Sequence, residues 1–312
     1  MESMFISVVI PCYGSENTIE SVVSDVVNAL NTIACSYEII LVNDCSPDNV
    51  WEKINELYRK YPNNIIGINF TKNFGQHAAL LAGFRESKGD IVISLDDDGQ
   101  TNPKYIPDLI NKLNEGYDVV TARYPELKET MFRRLGSWLN RKTSEWLINK
   151  PKNINGTSFC AYKRHIINNI IDYNKPYPYI GGLIYRATQN IGEVRIDHQD
   201  RASGQSGYSI TKLIKLYMNG FTAFSVKPLR ISSIIGILFA IIGFVYGMVI
   251  IVRKLVYPSV QVGYSSMMAV LLFVGGMILL SLGLIGEYIG RIYISINNSP
   301  QYVIKERINE KQ

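Results

Sequence analysis

Two long apolar segments restrict what this chain can fold into more than any other feature. Residues 231–252 and 265–286 are each 22 residues long and contain no Asp, Glu, Lys, Arg or His. A helix of that length measures roughly 33 Å, enough to cross a hydrocarbon core of about 30 Å. Buried helices of a soluble protein are the alternative, but only twelve residues separate the two segments. We therefore predict a transmembrane domain over residues 227–312, with two spans and a short cytoplasmic tail.

Basic residues around these segments predict their orientation. Lys227 and Arg230 precede the first segment and Arg291 follows the second, whereas the connection between them has two basic residues. Because Lys and Arg near membrane spans favour the cytoplasmic side, both chain ends are predicted to be cytoplasmic. The net charge of +5 suits contact with anionic lipid and is small for a nucleic-acid-binding protein, so no nucleic-acid partner is expected.

Residues 1 to about 125 have the pattern of an α/β domain with a largely parallel sheet, and they begin a predicted cytoplasmic domain that extends over residues 1–226. Short runs rich in Val and Ile alternate with longer segments of helical period. Polar residues follow the second and fourth predicted strands, where open α/β sheets bind their ligands. The predicted strands cover residues 5–11, 38–43, 65–69, 90–95 and 118–121, and the predicted helices cover residues 18–31, 50–61, 76–87 and 103–115.

Two further segments, 131–149 and 211–225, combine aromatic and basic residues in a helical pattern. Helices of this composition commonly lie in a membrane interface. Ordinary surface helices packed on the sheet are the alternative for both segments. We predict interfacial amphipathic helices that belong to the cytoplasmic domain.

An acidic cluster directly after the fourth predicted strand bears most on chemistry. It consists of Asp96, Asp97 and Asp98, followed by Gly99 and Gln100. Alternate residues of an extended segment face the same way, so Asp96 and Asp98 are predicted to converge while Asp97 points elsewhere. Paired carboxylates suit Mg²⁺ or Mn²⁺ bridged to substrate phosphates. A solvated Asp-rich turn is the alternative for the cluster taken alone.

Several other motifs accompany this cluster along the chain. They are Pro11-Cys12-Tyr13-Gly14-Ser15-Glu16, Asn43-Asp44-Cys45-Ser46, Asn73-Phe74-Gly75-Gln76-His77, Gly204-Gln205-Ser206-Gly207-Tyr208 and Gly286-Glu287-Tyr288-Ile289-Gly290-Arg291. Together they resemble glycosyltransferase family 2, and within it the polyprenyl-phosphate glycosyltransferase branch. The resemblance spans essentially the whole chain. It implies a GT-A (Rossmann-like) fold and inverting transfer of a sugar from a nucleotide diphosphate.

The resemblance also implies which residues bind the donor. Asp96, Asp98 and Gln100 match the metal-binding Asp-x-Asp motif and the Gln that follows it, with Asp98 as the direct metal ligand. The expected catalytic residues are Asp96, Asp98, Gln100 and Arg201. Arg201 belongs to a loop that closes over the diphosphate. The positions expected to bind the nucleotide sugar are Pro11, Tyr13, Glu16, Asp44, Asp96, Ser206 and Tyr208. Among them Asp44 is expected to hydrogen-bond the base.

Four other residues are implied to hold the lipid phosphate of the acceptor. They are Arg123, Arg133, Arg134 and Ser137. Guanidinium groups suit this role because they pair with phosphate in a bidentate geometry. Anchoring of the helix to anionic lipid is the alternative for Arg133 and Arg134.

Two positions depart from the family pattern, and one has no assigned chemistry. Gly207 stands where relatives usually carry Lys, so one expected cation at the diphosphate is missing. Thr157 stands where many carry Asp, which an acceptor alcohol would need as general base. A lipid phosphate is already anionic near neutral pH and can attack without a base, so Thr157 fits a phosphate acceptor. For His77 a structural role is predicted.

The sequence therefore predicts a metal-dependent glycosyltransferase of the bacterial inner membrane that acts on a polyprenyl phosphate, such as undecaprenyl phosphate, for cell-envelope glycans. UDP-glucose or another UDP-sugar is the expected donor, and a GDP-mannose-dependent mannose synthase is the alternative. A processive polysaccharide synthase is disfavoured because the chain lacks a Gln-x-x-Arg-Trp motif and two spans do not form a pore. A non-catalytic scaffold that binds nucleotide sugars is the third hypothesis. A homo-oligomer is expected.

Overall fold

The computed structural model describes residues 4–33, 35–125, 142–146, 148–152, 154, 156–197, 227–257, 263–297 and 299–309. The chain divides into two compact units, one formed by Met1–Leu216 with Asn298–Gln312 and the other by Tyr217–Asn297. Each predicted strand and helix up to residue 125 is present within about two residues of its expected bounds. The last of these helices begins as a 3-10 turn over Pro103–Tyr105, where Asn102 Oδ1 accepts a hydrogen bond from the Lys104 amide at 3.0 Å.

Within the described residues, eight strands of the first unit form one mixed sheet in the order β7-β5-β6-β4-β1-β2-β3-β8. The prediction of a largely parallel sheet holds for β1 to β4, whose mutual pairings are all parallel. Strand β6, which lies beyond the predicted strands, is antiparallel to both β4 and β5 and makes the sheet mixed. The strands are β1 Phe5–Cys12, β2 Ser36–Asn43, β3 Ile65–Phe70, β4 Ile91–Ser94, β5 Val119–Arg123, β6 Cys160–Lys163, β7 Ile191–Arg195 and β8 Ile304–Ile308.

Helices pack on this sheet through apolar stripes. In α1, side chains such as Val22, Val23, Val26 and Leu30 are buried, which is the three-to-four-residue spacing of one helix face. The central strands β1 and β2 are buried on both faces, so they form the centre of the core. Among the described residues, the helices of at least eight residues in the first unit are α1 Ile19–Asn31, α2 Val50–Lys60, α3 Gln76–Glu86, α4 Ile106–Asn114, α5 Arg164–Ile171 and α6 Ile180–Ala187.

The end of the chain differs from the predicted tail. The tail is predicted to belong to the transmembrane domain, but after the second apolar helix β8 adds an antiparallel edge strand to β3. Tyr302 stacks on Phe70 with ring centroids 5.2 Å apart, and its hydroxyl accepts a hydrogen bond from Arg85 Nη1 at 3.1 Å. Glu306 accepts a bond from the Trp51 indole at 3.1 Å. The last residues therefore belong to the sheet domain rather than to the membrane domain.

The second unit contains two long helices, α7 (Lys227–Val256) and α8 (Tyr264–Ile296). Ser232 and Ser281 form a hydroxyl–hydroxyl hydrogen bond of 2.8 Å, and the rings of Phe239 and Phe273 meet edge to face at 5.3 Å. These two pairings run in opposite order along the helices, so the helices form an antiparallel hairpin. Their side chains are mostly apolar and exposed, Phe244 and Leu279 each by 71%.

By length and composition, two segments of these helices are candidate membrane spans. They are Leu229–Val249, with a mean hydropathy of 2.2, and Phe273–Ile296, with a mean hydropathy of 1.7. The predicted pair of apolar helices is thereby confirmed, although the second candidate span begins at Phe273 rather than at residue 265. The amphipathic segment 211–225 lies outside the described residues, and of segment 131–149 only part is described, with residues 142–146 helical.

Candidate active site

A polar cleft lies at the carboxyl ends of the parallel strands β1, β2 and β4. The loops after these strands meet there because parallel neighbours end at the same edge of a sheet. Of the residues predicted to bind the donor, five line this cleft. They are Pro11, Tyr13, Asp44, Asp96 and Asp98, joined by Cys12, Asn73, Gly75, Gln76 and Asp97.

Asp96 is a largely buried carboxylate held by two side chains from distant parts of the chain. Its Oδ1 accepts a hydrogen bond from Gln76 Nε2 at 2.7 Å, and its Oδ2 accepts one from the Ser158 hydroxyl. Burial raises the pKa of Asp96, and the two hydrogen bonds oppose this by stabilising the charged form. Asp96 is therefore a fixed group in the wall of the cleft.

Asp97 lines the same cleft as Asp96 and Asp98 and is bound to the loop after β1. Its Oδ2 accepts a hydrogen bond from the Tyr13 amide at 2.8 Å, and its carbonyl accepts one from the Thr18 hydroxyl at 2.6 Å. Burial raises the pKa of Asp97 to about 6. This residue ties the loop after β1 to the loop after β4.

Asp98 is the exposed carboxylate of the cluster. Its Oδ1 accepts a hydrogen bond from the Gln100 amide at 3.0 Å, across a turn in which Gly99 has a φ of +72°. The Gln100 side chain is partly exposed and is not among the residues that line the cleft. Asp98 therefore presents its remaining oxygen lone pairs to the solvent-filled side of the site.

Asp44 organises the loop that precedes α3. Its two carboxylate oxygens accept hydrogen bonds from the amides of Phe74 and Gly75 at 2.7 and 2.8 Å. Gly75 has a φ of +92°, a conformation that side chains rarely adopt and that turns its amide toward Asp44. Burial raises the pKa of Asp44, and these two bonds oppose the rise.

Tyr13 and Glu16 come from the loop after β1 but differ in placement. The Tyr13 ring is 55% exposed on the wall of the cleft, where it offers an aromatic face. The Glu16 carboxylate instead accepts hydrogen bonds from the Asn49 amide and side chain, both at 3.2 Å. Glu16 thus holds the start of α2 and does not line the cleft.

The residues expected on the acceptor side are only partly described. Arg123 lies at the end of β5 and forms an ion pair with Glu193 of β7, with Nη1 and Oε2 3.1 Å apart. It lines a second cleft together with Arg195 and Asp197. Six of the predicted site residues lie outside the described residues: Arg133, Arg134, Ser137, Arg201, Ser206 and Tyr208.

Gln76 and Ser158 both hold Asp96, and the sequence alone assigns neither of them a role. Gln76 lies in a motif that carries the family resemblance, and that motif is the sequence signal that could have identified it. Ser158 is 62 residues from its partner Asp96, so no local pattern points to it. Its neighbour Thr157 donates a hydrogen bond to the Ala122 carbonyl at 3.1 Å, which places the Thr157 hydroxyl against the backbone of β5.

A sheet of this order, with an Asp-x-Asp pair at the carboxyl end of β4, has the architecture of a GT-A fold. The chain belongs to glycosyl transferase family 2, whose model matches residues 7–171. A second model, the GtrB C-terminal hairpin, matches residues 227–292. The predicted family, fold class and enzyme class are confirmed, and the protein is a glycosyltransferase.

Curated relatives match nearly the whole chain. The undecaprenyl-phosphate 4-deoxy-4-formamido-L-arabinose transferase of Proteus mirabilis is 32% identical over 309 residues, covering 98% of this chain and 95% of the relative. The enzyme of the same name from Aeromonas hydrophila is 34% identical over 303 residues, covering 96% and 93%.

Solved structures support the fold. Glucosyl-3-phosphoglycerate synthase from Mycobacterium tuberculosis, in complex with Mn²⁺, UDP and phosphoglyceric acid, superposes with a TM-score of 0.52 at 18% identity. The superposition covers 69% of this chain and 75% of that one.

Proposed function

We propose that this glycosyltransferase moves one sugar from a nucleotide diphosphate sugar onto undecaprenyl or another polyprenyl phosphate at the cytoplasmic membrane face. The observation that carries the proposal is the extent of similarity to relatives named as undecaprenyl-phosphate transferases, which covers 98% of the chain. That match includes the apolar hairpin, and a water-soluble acceptor would not require one. The product would be a lipid-linked sugar for modification of cell-envelope glycans.

The cleft supports a nucleotide diphosphate as the donor, with a UDP-sugar such as UDP-glucose as the specific expectation. The exposed Tyr13 ring offers a stacking face for a base, and the loop held by Asp44 also lines the cleft. Asp98 lies in the same cleft, where the charge of the diphosphate would be bound.

A divalent cation, Mg²⁺ or Mn²⁺, fits the donor set around Asp98. Among the described residues no three His, Cys, Asp or Glu side chains form a complete cage. One exposed carboxylate with a buried carboxylate beside it suits a hard cation that completes its coordination with diphosphate oxygens and water. When bound, the cation would neutralise charge on the departing diphosphate.

The chemistry follows from the acceptor's charge. An oxygen of the lipid phosphate forms a bond to the anomeric carbon while the bond from that carbon to the diphosphate oxygen breaks, which inverts the configuration. The nucleoside diphosphate leaves with the electron pair, and no proton has to be removed from the attacking phosphate. The Thr157 hydroxyl already donates a hydrogen bond to the backbone of β5, so Thr157 suits a reaction without a base at that position.

Arg123, Arg133, Arg134 and Ser137 are proposed to hold the acceptor phosphate. For Arg133 and Arg134 the test is the double Ala variant assayed in detergent, where no charged bilayer is present. Each charge-assisted contact is worth roughly 1.5–3 kcal/mol, so the KM for polyprenyl phosphate should rise about tenfold or more. An unchanged acceptor KM would refute this role and leave Arg123 as the remaining candidate.

Two crossings of the membrane are proposed from the path of the chain. Strand β8 follows the hairpin and pairs with β3 of the sheet that precedes it. This pairing supports a placement of the chain before and after the hairpin on the same side of the membrane. Tags at residues 1 and 312 should both be cytoplasmic, and a tag at residue 259 should be external. A cytoplasmic tag at residue 259 would contradict a two-pass hairpin.

The decisive experiment is transfer of a labelled sugar into the lipid fraction. The full chain in detergent is incubated with undecaprenyl phosphate, Mg²⁺ and a panel of labelled UDP- and GDP-sugars. We expect label from one donor to become lipid-extractable, and chelation of the metal to prevent it. Label from GDP-mannose alone would favour the mannose synthase alternative. Binding of donors without any lipid-linked product would overturn the proposal in favour of a scaffold.

A further inference from the structure

A second cavity adjoins the nucleotide cleft and has no role in the proposal so far. It lies between one face of the sheet, at β4, β5 and β6, and the helices α3 and α6. Gln76 lines both this cavity and the nucleotide cleft. Because Gln76 also donates a hydrogen bond to Asp96, the two spaces meet at the first carboxylate of the Asp-x-Asp pair.

The cavity has apolar walls and a few polar groups. Leu80, Ile180 and Ile184 contribute to the walls. The hydroxyls of Ser94 and Tyr162 lie at its surface but hydrogen-bond each other at 3.1 Å. A concave space with apolar walls and a small number of free polar groups is typical of sites for small ligands.

His77 supplies such a free polar group. It lies in the first turn of α3, and its ring meets the Tyr179 ring edge to face with centroids 5.1 Å apart. Its Nδ1 atom is buried and has no hydrogen-bond partner among the described residues. A phenylalanine would fill the same space without leaving a polar atom unsatisfied, so the imidazole indicates a group that binds there.

The charge state of His77 suits a neutral ligand. Burial lowers the pKa of His77 to about 4, so the ring is uncharged at neutral pH. A neutral imidazole accepts a hydrogen bond at one nitrogen and donates one from the other. It matches a hydroxyl or amide group, whereas the diphosphate would be better served by a cation.

We propose that this cavity, the His77 pocket, receives the sugar of the nucleotide-sugar donor, and that His77 hydrogen-bonds a polar substituent of that sugar. The inference rests on the proposed function for the identity of the donor. It makes His77 a specificity-determining residue and separates sugar recognition from nucleotide recognition. The nucleotide and diphosphate contacts remain at Tyr13, the Asp44 loop and Asp98.

The test compares two affinities in wild type and in His77→Phe, using the full chain in detergent with Mg²⁺. Calorimetry gives the Kd of UDP and GDP and of a panel containing UDP-glucose, UDP-N-acetylglucosamine and GDP-mannose. We expect His77→Phe to leave the Kd of the nucleotide diphosphate within twofold and to weaken the preferred nucleotide sugar about tenfold. His165→Phe, which alters an exposed histidine outside the pocket, is the matched control and should change neither value.

A structural role for His77 would give a different pattern. Equal weakening of both ligands, or no change in either, would overturn the proposal. Should His77→Phe not fold, His77→Asn retains a polar atom near the position of Nδ1 and should keep most of the affinity for the sugar. His77→Gln is a second variant of this kind. If both His77→Asn and His77→Gln fold but bind the preferred nucleotide sugar no better than the other nucleotide sugars, the hydrogen bond from His77 is contradicted. The measurement contains no polyprenyl phosphate. Failure of the His77 proposal is therefore distinguishable from failure of the proposed transfer to lipid.

Discussion

The Ser158 hydroxyl donates a hydrogen bond to Asp96 Oδ2, joining the residue just before β6 to the carboxylate just after β4. Among the described residues, Gln76 is the other side-chain donor to Asp96, and it binds the other carboxylate oxygen. Each carboxylate oxygen of this buried group is therefore bound by a side chain from a different segment. The position of Asp96 depends on both segments being in place.

Removing the Ser158 hydroxyl should lower turnover without unfolding the protein. A hydrogen bond to a charged group is worth roughly 1.5–3 kcal/mol, so Ser158→Ala should reduce kcat by about tenfold or more. Ser158→Thr keeps the hydroxyl and should restore most of the rate. Steady-state kinetics of the three proteins measure this, and equal kcat values in Ser158→Ala and wild type would contradict a positioning role.

Asp98→Asn tests the exposed carboxylate. The change removes a negative charge from a loop that faces the cleft, so turnover should fall by about a hundredfold or more while the melting temperature stays close to that of wild type. Asp25→Asn, an exposed position on α1, is the control and should leave both quantities unchanged. Normal activity of Asp98→Asn at saturating Mg²⁺ would contradict the assignment of Asp98 as the metal ligand.

Gly75→Ala should weaken nucleotide binding because the backbone at this position has a φ of +92° and its amide holds Asp44. Forcing a side chain into that conformation costs about 1–3 kcal/mol. Gly116 also has a positive φ, of +112°, but lies in the turn before β5, away from the cleft. A Cβ atom added at either glycine would have no neighbouring atom within 4 Å, so backbone strain is the effect that the two alanine variants share.

The two alanine variants therefore form a matched pair. Both should lower the melting temperature, and Gly75→Ala should also raise the Kd of UDP. Calorimetric titration with UDP separates the two effects. An equal Kd in the two variants would show that the loop before α3 does not contribute to nucleotide binding.

Tyr302 should stabilise the sheet domain through the returning chain end. Tyr302→Leu removes the stacking on Phe70 and the bond from Arg85, so we expect a loss of about 2 kcal/mol in the free energy of unfolding. Tyr302→Phe keeps the ring and should lose about 1 kcal/mol. Denaturant unfolding of both variants in detergent measures the difference. If both variants match wild type, the chain end does not stabilise the domain.

His77 gives a pH dependence of stability whose sign follows from its burial. The pKa of His77 is lowered to about 4 from an ordinary value of 6.5, so below pH 6.5 the unfolded chain binds a proton that the folded chain does not. This contribution destabilises wild type as the pH falls from 6.5 toward 4 and is absent above that range. At pH 5 it amounts to about 2 kcal/mol.

The measurement is the difference in unfolding free energy between His77→Phe and wild type at pH 7.5 and pH 5. The variant should gain about 2 kcal/mol relative to wild type on going to the lower pH, because it has no imidazole to protonate. Groups that titrate in both proteins cancel in this difference. A difference that stays constant across the range would contradict the burial of a neutral ring.

Much of the first half of the fold follows from local sequence pattern. The strands β1 to β5 and the helices α1 to α4 occur where alternating Val- and Ile-rich runs and helical spacing predict them. The later elements α5, α6, β6 and β7 escaped prediction. Strand β6 has only four residues, and its direction between β4 and β5 depends on pairing partners far along the chain.

The sequence by itself determined the family, the α/β class, the apolar hairpin and the position of the Asp cluster. These features depend on the order and spacing of nearby residues, because backbone periodicity sets which side chains share a face. Only the tertiary structure decided that Ser158 holds Asp96, that Glu16 turns to Asn49, and that β8 returns to β3. It also enclosed His77 Nδ1 beside the cleft. Such contacts depend on strand register and helix packing between distant segments, which local spacing does not encode.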